Sequence, residues 1–127
     1  MPGRVLLVEP DTALAEVLVQ VLNEVGYDCL RCRSVVDVGA AATGQRGELA
    51  ILDTLHVPGL LAEEHRYALA MLSRVVPLVL LVDDRSQGDL LAEDLGVAAV
   101  LTKPFDLDRL QQAVEVASAA PSALSRP

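Results

Sequence analysis

Hydrophobic and polar residues follow two repeating patterns from one end of the chain to the other. Five short runs are rich in Val, Leu and Ala, a composition typical of buried strands. The predicted strands cover residues 4–8, 27–32, 48–52, 78–82 and 98–101. The fourth run follows Pro77 and is apolar at every position, so we expect it near the centre of a sheet.

Between the strands, apolar residues recur at the three- and four-residue spacing of one helix face. The longest such stripe consists of Leu14, Val17, Leu18, Val21, Leu22 and Val25. Asp11 or Thr12 can cap the start of this helix, and Gly26 suits the position just after its end.

Further helices are predicted after Ser34, over residues 60–74, over residues 87–95 and after Asp106. Ser34 and Asp106 are the expected caps. The inward face of the helix at 60–74 is predicted to carry Tyr67 and Met71, with Leu69, Leu72 and Val76 as further candidates. The last helix is predicted to place Leu107, Leu110, Val114 and Ala117 on one face.

Five strand–helix units with short connections predict an α/β fold whose parallel sheet is covered by helices on both faces. Because crossovers between parallel strands are right-handed, few arrangements remain. We expect the flavodoxin-like, doubly wound five-stranded sheet with strand order 2-1-3-4-5. Residues 1–119 are predicted to form this domain. Residues 120–127, rich in Ala, Ser and Pro, are predicted to be a tail or the start of a linker.

Composition and charge narrow the function classes. The chain has 127 residues, of which 52% are hydrophobic and only 2% aromatic, so the core must be aliphatic and stacking surfaces for bases or flavins are scarce. A net charge of -8 argues against direct binding of nucleic acid through phosphates. No apolar run approaches the ~20 residues of a membrane span, and a cytoplasmic location is expected.

The two cysteines, Cys29 and Cys32, form a single C-x-x-C motif within a predicted strand. Successive side chains of a strand alternate between its faces, so these two thiols should lie on opposite sides of the sheet. We therefore expect reduced thiols rather than a redox pair or half of a zinc site.

Charged residues directly follow three of the predicted strands. Glu9 and Asp11 flank Pro10 after the first strand, Asp53 follows the third, and Lys103 follows the fifth. Because the carboxyl ends of parallel strands share one edge of a sheet, we expect Glu9, Asp53 and Lys103 to converge there. Two carboxylates suit Mg²⁺, and a lysine adds positive charge. An ion-pair cluster without chemistry is the alternative interpretation.

At these positions the chain resembles the receiver domain of two-component response regulators, over roughly residues 3 to 119. The resemblance rests on Leu7-Val8-Glu9-Pro10-Asp11, Leu52-Asp53, Pro58-Gly59 and Leu101-Thr102-Lys103-Pro104-Phe105. It implies that a histidine kinase is the partner and that Asp53 accepts the phosphoryl group. It also implies that Glu9 and Asp53 help hold Mg²⁺ and that Lys103 contacts the phosphoryl group. Such a domain is no enzyme beyond self-phosphorylation from a phosphodonor, and its Lys103-Pro104 bond is a candidate cis peptide.

Several positions depart from the receiver pattern. Pro10 stands where a second metal-binding carboxylate is implied, and Val82, or Asp83 in the next register, stands where a hydroxyl is implied. Val100 replaces the aromatic switch residue, and Pro58 lies one residue later after Asp53 than is usual. Asp11, or alternatively Asp83, is a candidate replacement ligand, although Asp11 suits a helix cap better. We therefore expect Mg²⁺ binding and phosphorylation of Asp53 to be weak or absent.

The alternative function is a phosphorylation-independent interaction module. In that case the fifth strand and the last two helices would mediate docking or formation of a homodimer. A flavin-binding or enzymatic domain on the same topology is remote, because Glu9-Pro10-Asp11 occupies the place of a glycine-rich phosphate loop.

Overall fold

Five parallel strands form a single sheet in the order β2-β1-β3-β4-β5, which confirms the predicted flavodoxin-like topology. The computed structural model describes residues 3–43, 47–53, 63–82 and 96–119. The strands are β1 (Arg4–Val8), β2 (Asp28–Arg31), β3 (Leu49–Asp53), β4 (Leu78–Val82) and β5 (Ala99–Thr102). Each predicted strand therefore lies within a residue or two of its predicted place, and β4 occupies the predicted residues.

Helices in the described residues cover both faces of the sheet. They are α1 (Thr12–Glu24), α2 (Val35–Ala41), α3 (Glu63–Val75) and α4 (Leu107–Ala119). The predicted helix at 87–95, the loop with Pro58 and the tail at 120–127 lie outside the described residues. Among the helices described, none has the length and apolar character to cross a membrane.

The core has two layers because the central strands are buried on both faces. Leu6, Val8 and Leu52 point to one side, which α2 and α3 cover, and Leu7 and Ile51 point to the side that α1 and α4 cover. Each fully buried aliphatic side chain contributes roughly 1.5–3 kcal/mol of transfer free energy. A compact aliphatic sheet thus supports the edge at which the charged residues lie.

The two cysteines lie on opposite sides of the sheet, as the strand pattern predicted. Cys32 belongs to the core layer under α2 and α3, whereas Cys29 packs against the layer under α1 and α4. Both are free thiols. Burial raises the pKa of Cys29 to about 11 and also raises the pKa of Cys32, so both thiols stay protonated and unreactive near neutral pH.

The caps are those that the sequence indicates. The Leu14 N–H donates to Asp11 Oδ1 at 3.2 Å, which makes Asp11 rather than Thr12 the cap of α1. Gly26 follows that helix with a φ of 99°, a conformation that favours glycine. Ser34 caps α2, and the Asp106 carboxylate accepts the Arg109 N–H at 2.8 Å at the start of α4.

Two of the expected inward positions on α3 are wrong, and the further candidates are confirmed. Tyr67 is 69% exposed and Met71 is 45% exposed, whereas Leu69 and Leu72 on α3 and Val76 just after it are buried. Positions two apart on a helix differ by about 200°, so a face that buries Leu69 must expose its neighbours Tyr67 and Met71. Val17, Val25 and Leu107 are likewise exposed by 40% or more. Only a narrow stripe of each helix contacts the flat sheet.

Candidate functional site

Three charged side chains meet at the edge of the sheet where the strands end. Glu9 directly follows β1, Asp53 is the last residue of β3, and Lys103 directly follows β5. Strands β1 and β3 are neighbours, with Val8 opposite Leu52, so Glu9 comes to lie beside Asp53. Lys103 reaches both carboxylates from the far side of β4. Residues up to 94 positions apart thus form one cluster.

One ammonium group bridges two buried carboxylates in this cluster. Lys103 Nζ donates to Asp53 Oδ2 at 2.5 Å and to Glu9 Oε1 at 3.1 Å. The side chains of Glu9 and Asp53 are 0% exposed, and that of Lys103 is 18% exposed. Two negative charges and one positive charge therefore share a site in which water screens them poorly.

Burial and charge shift the pKa values of these groups in ways that follow from the geometry. Burial raises the pKa of Glu9, and the neighbouring Asp53 raises it further, while the Lys103 ammonium works in the opposite direction. Burial alone would lower the pKa of Lys103, but its hydrogen bonds to Asp53 and Glu9 prevail, so this pKa is raised. The Lys103 side chain therefore stays protonated, whereas burial and the neighbouring Asp53 disfavour ionisation of the Glu9 carboxyl group.

A second cation contacts the loop between β1 and α1. Arg31, the last residue of β2, donates from Nη2 to the carbonyl oxygen of Glu9 at 2.8 Å and lies 3.5 Å from that of Pro10. We did not anticipate Arg31 from the sequence. The available signal was a basic residue at the end of a strand that pairs with β1, which places it on the same edge as Glu9.

Solved structures with the same architecture are receiver domains. The crystal structure of FixJ-N matches with a TM-score of 0.75 and 21% identity, over 93% of this chain and 94% of that one. The non-phosphorylated receiver domain of HemR from Leptospira biflexa matches with a TM-score of 0.74 and 25% identity, over 100% of this chain and 98% of that one. The chain therefore has the receiver-domain fold of response regulators.

Sequence comparison points the same way. The transcriptional regulatory protein PdtaR of Mycobacterium tuberculosis is 34% identical over 128 aligned positions, which cover 92% of this chain and 57% of PdtaR. The chain therefore spans little more than half the length of that curated relative. No known family profile matches the chain.

The two predicted switch positions, Val82 and Val100, lie in or against the apolar core. Val82 is the last residue of β4 and is 2% exposed, in the same core layer as Val8 and Leu52. Val100 packs, partly buried, against that layer. Neither side chain can donate a hydrogen bond, and neither carries a ring. Asp83, the alternative at the end of β4, lies outside the described residues.

The Lys103-Pro104 peptide bond is cis, as the sequence permitted. The Lys103 N–H donates to the Val82 carbonyl oxygen at 2.7 Å, so the residue that carries the ammonium is tied to the end of β4. This hydrogen bond holds the Lys103 backbone beside the carboxyl end of β4.

Mg²⁺ requires a set of oxygen ligands in near-octahedral geometry, and the described residues supply few of them. Glu9 and Asp53 are the two carboxylates at hand, and the Lys103 ammonium binds both. Pro10 is exposed and adds no carboxylate, while the Asp11 carboxylate caps α1. No group of three or more acid, His or Cys side chains suited to a metal ion occurs in the described part of the chain. These residues therefore do not fit a complete Mg²⁺ site.

A related fold does hold the ion. The receiver domain of the sensor histidine kinase PA1611 from Pseudomonas aeruginosa, 22% identical with a TM-score of 0.72 over 94% of this chain, has a magnesium ion in its active-site cleft.

Proposed function

We propose that this chain is a signal-receiving domain of a two-component phosphorelay in which Asp53 is the phosphoacceptor and phosphorylation is weak or absent. The observation that carries the proposal is the Lys103 ammonium bound to both Asp53 and Glu9 at the carboxyl edge of the sheet. In this proposal residues 1–119 form the domain, residues 120–127 form a tail or linker, and the domain works in the cytoplasm. A histidine kinase or another signalling protein is the partner.

The proposed chemistry is phosphoryl transfer to a carboxylate. An Asp53 oxygen forms a bond to phosphorus while the bond from phosphorus to the donor's leaving group breaks, and the leaving group keeps that electron pair. Such a reaction depends on positioning and on neutralising charge around the phosphoryl oxygens. Lys103 supplies one positive charge. Glu9 is proposed to bind the metal together with Asp53, and Asp11 or Asp83 is a further candidate ligand. Pro10 stands at the position where the resemblance implies another metal-binding carboxylate.

Three features support a slow reaction. The Asp53 nucleophile is already bound by an ammonium group, which must shift when a phosphoryl group arrives. Mg²⁺ would have to compete with that ammonium for both carboxylates. Val82 offers no hydroxyl to a phosphoryl oxygen, and Val100 offers no ring to report the change. We therefore propose that Mg²⁺ binding is weak or absent.

The test is treatment with acetyl phosphate, and separately with beryllofluoride, in the presence and absence of Mg²⁺. We expect little gain in mass and small NMR shifts in wild-type protein, and none in Asp53→Asn. The variant Pro10→Asp restores a carboxylate, so it should bind Mg²⁺ more tightly and label faster. Rapid, complete labelling of wild-type protein would contradict the weak-phosphorylation part, and equal labelling of Asp53→Asn would contradict the role of Asp53.

A second candidate function is an interaction module that needs no phosphorylation. A groove of about 490 Å³ runs along β5 and α4, and its lining mixes apolar side chains such as Val97 and Val116 with the polar side chains of Arg109 and Gln112. Leu107 and Val116 on α4 are more than half exposed. The exposed apolar side chains on α4 favour a docking or dimerisation surface that includes β5 and α4, while the predicted helix at 87–95 lies outside the described residues.

Analytical ultracentrifugation tests this second candidate. If β5 and α4 mediate a homodimer, Val116→Asp should yield a monomer at concentrations at which wild-type protein is dimeric. Val36→Asp is the matched control, because Val36 is 80% exposed on α2, on the other face of the sheet. A monomeric wild-type protein, or equal loss in both variants, would contradict dimerisation through this face.

A further inference from the structure

The loop between β1 and α1 is held from outside by the edge strand β2. Arg31 pairs with Leu7 in the register of β2 and β1, one residue before Val8. Its Nη2 donates to the Glu9 carbonyl oxygen at 2.8 Å and reaches the Pro10 carbonyl oxygen at 3.5 Å. A charged donor makes a stronger hydrogen bond to a carbonyl than a neutral donor does. The guanidinium therefore binds the backbone at the two residues that begin this loop.

Glu9 is consequently held at both ends by groups from different elements. Arg31 binds its backbone carbonyl from β2. Lys103, which follows β5, binds Oε1 of its carboxylate, and the Asp11 N–H donates to Oε2 at 3.3 Å. The Glu9 backbone and both oxygens of its carboxylate are thus each held by a group of the chain itself.

We propose that Arg31 is a positioning residue that, together with Lys103, assembles this acidic site without a divalent ion. This inference rests on the proposed function, and specifically on the mismatch between the described residues and a Mg²⁺ site. A divalent ion at such an edge would draw in carboxylate and carbonyl oxygens. Here the carboxylate oxygens bind an ammonium group and the carbonyl oxygens of Glu9 and Pro10 face a guanidinium. Two cations of the chain itself thus hold the oxygens that a metal would otherwise gather.

The chain offers a matched control in Arg33. Arg31 and Arg33 both line a pocket of about 440 Å³ with Glu9, Pro10 and Cys32, so both bring the same charge to the same region. The Arg33 backbone N–H donates to Asp37 at 3.3 Å, at the start of α2. Loss of charge alone should therefore have the same effect at both positions. Loss of the hydrogen bonds to the loop between β1 and α1 should have an effect only when Arg31 is replaced.

The experiment is NMR of the whole 127-residue chain, observing backbone amides and side-chain carboxyl carbons with EDTA and with excess Mg²⁺. In wild-type protein we expect the Glu9 and Asp53 carboxyl signals and the Asp11 amide signal to be the same under both conditions. Arg31→Gln should shift the Glu9 carboxyl carbon and the Asp11 amide signals. Arg31→Lys, which retains a charged donor, should restore most of the wild-type positions, and Arg33→Gln should leave them unchanged.

Three outcomes would overturn the inference. They are unchanged Glu9 signals in Arg31→Gln, shifts of equal size in Arg33→Gln, and a wild-type site that rearranges when EDTA removes metal. The rescue by lysine separates positioning from a general loss of structure, because an effect that merely loosened the fold would appear throughout the spectrum. Labelling of Asp53 by beryllofluoride is a separate readout, so failure of the positioning role of Arg31 can be distinguished from failure of the proposed function.

Discussion

Lys103 is the residue on which the acidic cluster depends most. Its ammonium is the group that binds Asp53 and Glu9 together, and both carboxylates are fully buried. Removing one partner from a buried ion pair is far more costly than never having formed the pair, because it leaves charge without compensation. The stability of this site should therefore respond steeply to changes at position 103.

Replacing Lys103 with methionine should lower the free energy of unfolding at neutral pH by roughly 3 kcal/mol, because two buried carboxylates then lose the ammonium group that bridges them. Urea unfolding followed by circular dichroism measures this. The double variant Lys103→Met/Asp53→Asn should recover much of the loss, since one of the two charges is gone. Arg109→Met, at an exposed position on α4, is the control for loss of positive charge. A loss in Lys103→Met no larger than that in the control would contradict the ion-pair argument.

Glu9 should make stability depend on pH in a direction set by its raised pKa. The folded protein keeps the Glu9 proton to higher pH than the unfolded chain, so this group's contribution to stability falls as pH rises from its ordinary value of 4.5 through the raised value. Glu9→Gln lacks this titration. We expect its stability relative to wild-type protein to increase with pH over that window.

Unfolding free energies at a series of pH values from acid to neutral would measure the Glu9 effect. Glu16→Gln, an exposed change on α1, serves as the control. The Lys103 contribution has the same sign, because its pKa is also raised, but it changes in a different pH window. That contribution is fully present below its ordinary value of 10.5 and is lost only as pH rises through the raised value, so it is constant over the acid-to-neutral series. A parallel pH dependence of wild-type protein and Glu9→Gln would argue against this account.

At the scale of elements, Asp11 has two candidate roles at the start of α1, as the cap of the helix and as a replacement metal ligand. Its carboxylate accepts the Leu14 N–H, and its own N–H donates to Glu9. An Asp at this position satisfies a backbone donor that the helix itself leaves open. The cap also fixes where the helix begins, and hence how closely the loop follows β1. Asp11 is thus a structural link between the helix and the acidic cluster.

Asp11→Ala should lower the free energy of unfolding by about 1 kcal/mol through loss of the cap, whereas Asp11→Asn should be nearly neutral because an amide oxygen still accepts the hydrogen bond. Thermal and urea unfolding of the two variants provide the comparison. Equal destabilisation by Ala and Asn would show that charge rather than capping is the role of Asp11.

Element positions were largely predictable from the sequence, and helix orientation was less so. Strands such as Leu78–Val82 can be recognised in the sequence because a parallel strand buried on both faces must be apolar throughout. The outward position of Tyr67 and Met71 was not predictable from spacing, since α3 contains more apolar residues than one stripe can bury. Which stripe faces inward depends on how the helix packs on the sheet.

Across the whole molecule, one hydrogen bond joins parts of the chain that are 91 residues apart. The Tyr27 hydroxyl lies 2.9 Å from Ser118 Oγ, which links the residue just before β2 to the last turn of α4. This contact lies at the opposite end of β2 from Arg31. It connects the final helix to the start of the edge strand β2.

A double-mutant cycle between Tyr27→Phe and Ser118→Ala should give a coupling free energy of about 0.5–1.5 kcal/mol, as a single neutral hydrogen bond typically does. The single variants should also speed hydrogen exchange in the last turn of α4, since that turn loses its attachment to the sheet. Strictly additive effects of the two substitutions would mean that the hydroxyl groups do not interact.

The sequence by itself determined the class of fold and the convergence of Glu9, Asp53 and Lys103, because those features follow from local patterning and from the shared edge of parallel strands, and it narrowed the order of strands to a few arrangements. The tertiary structure alone decided that one ammonium group bridges both carboxylates, and that Arg31 holds the loop beside them. The physical reason is that strand ends are specified by their own residues. The partner of a charged side chain, by contrast, depends on how distant elements finally pack together.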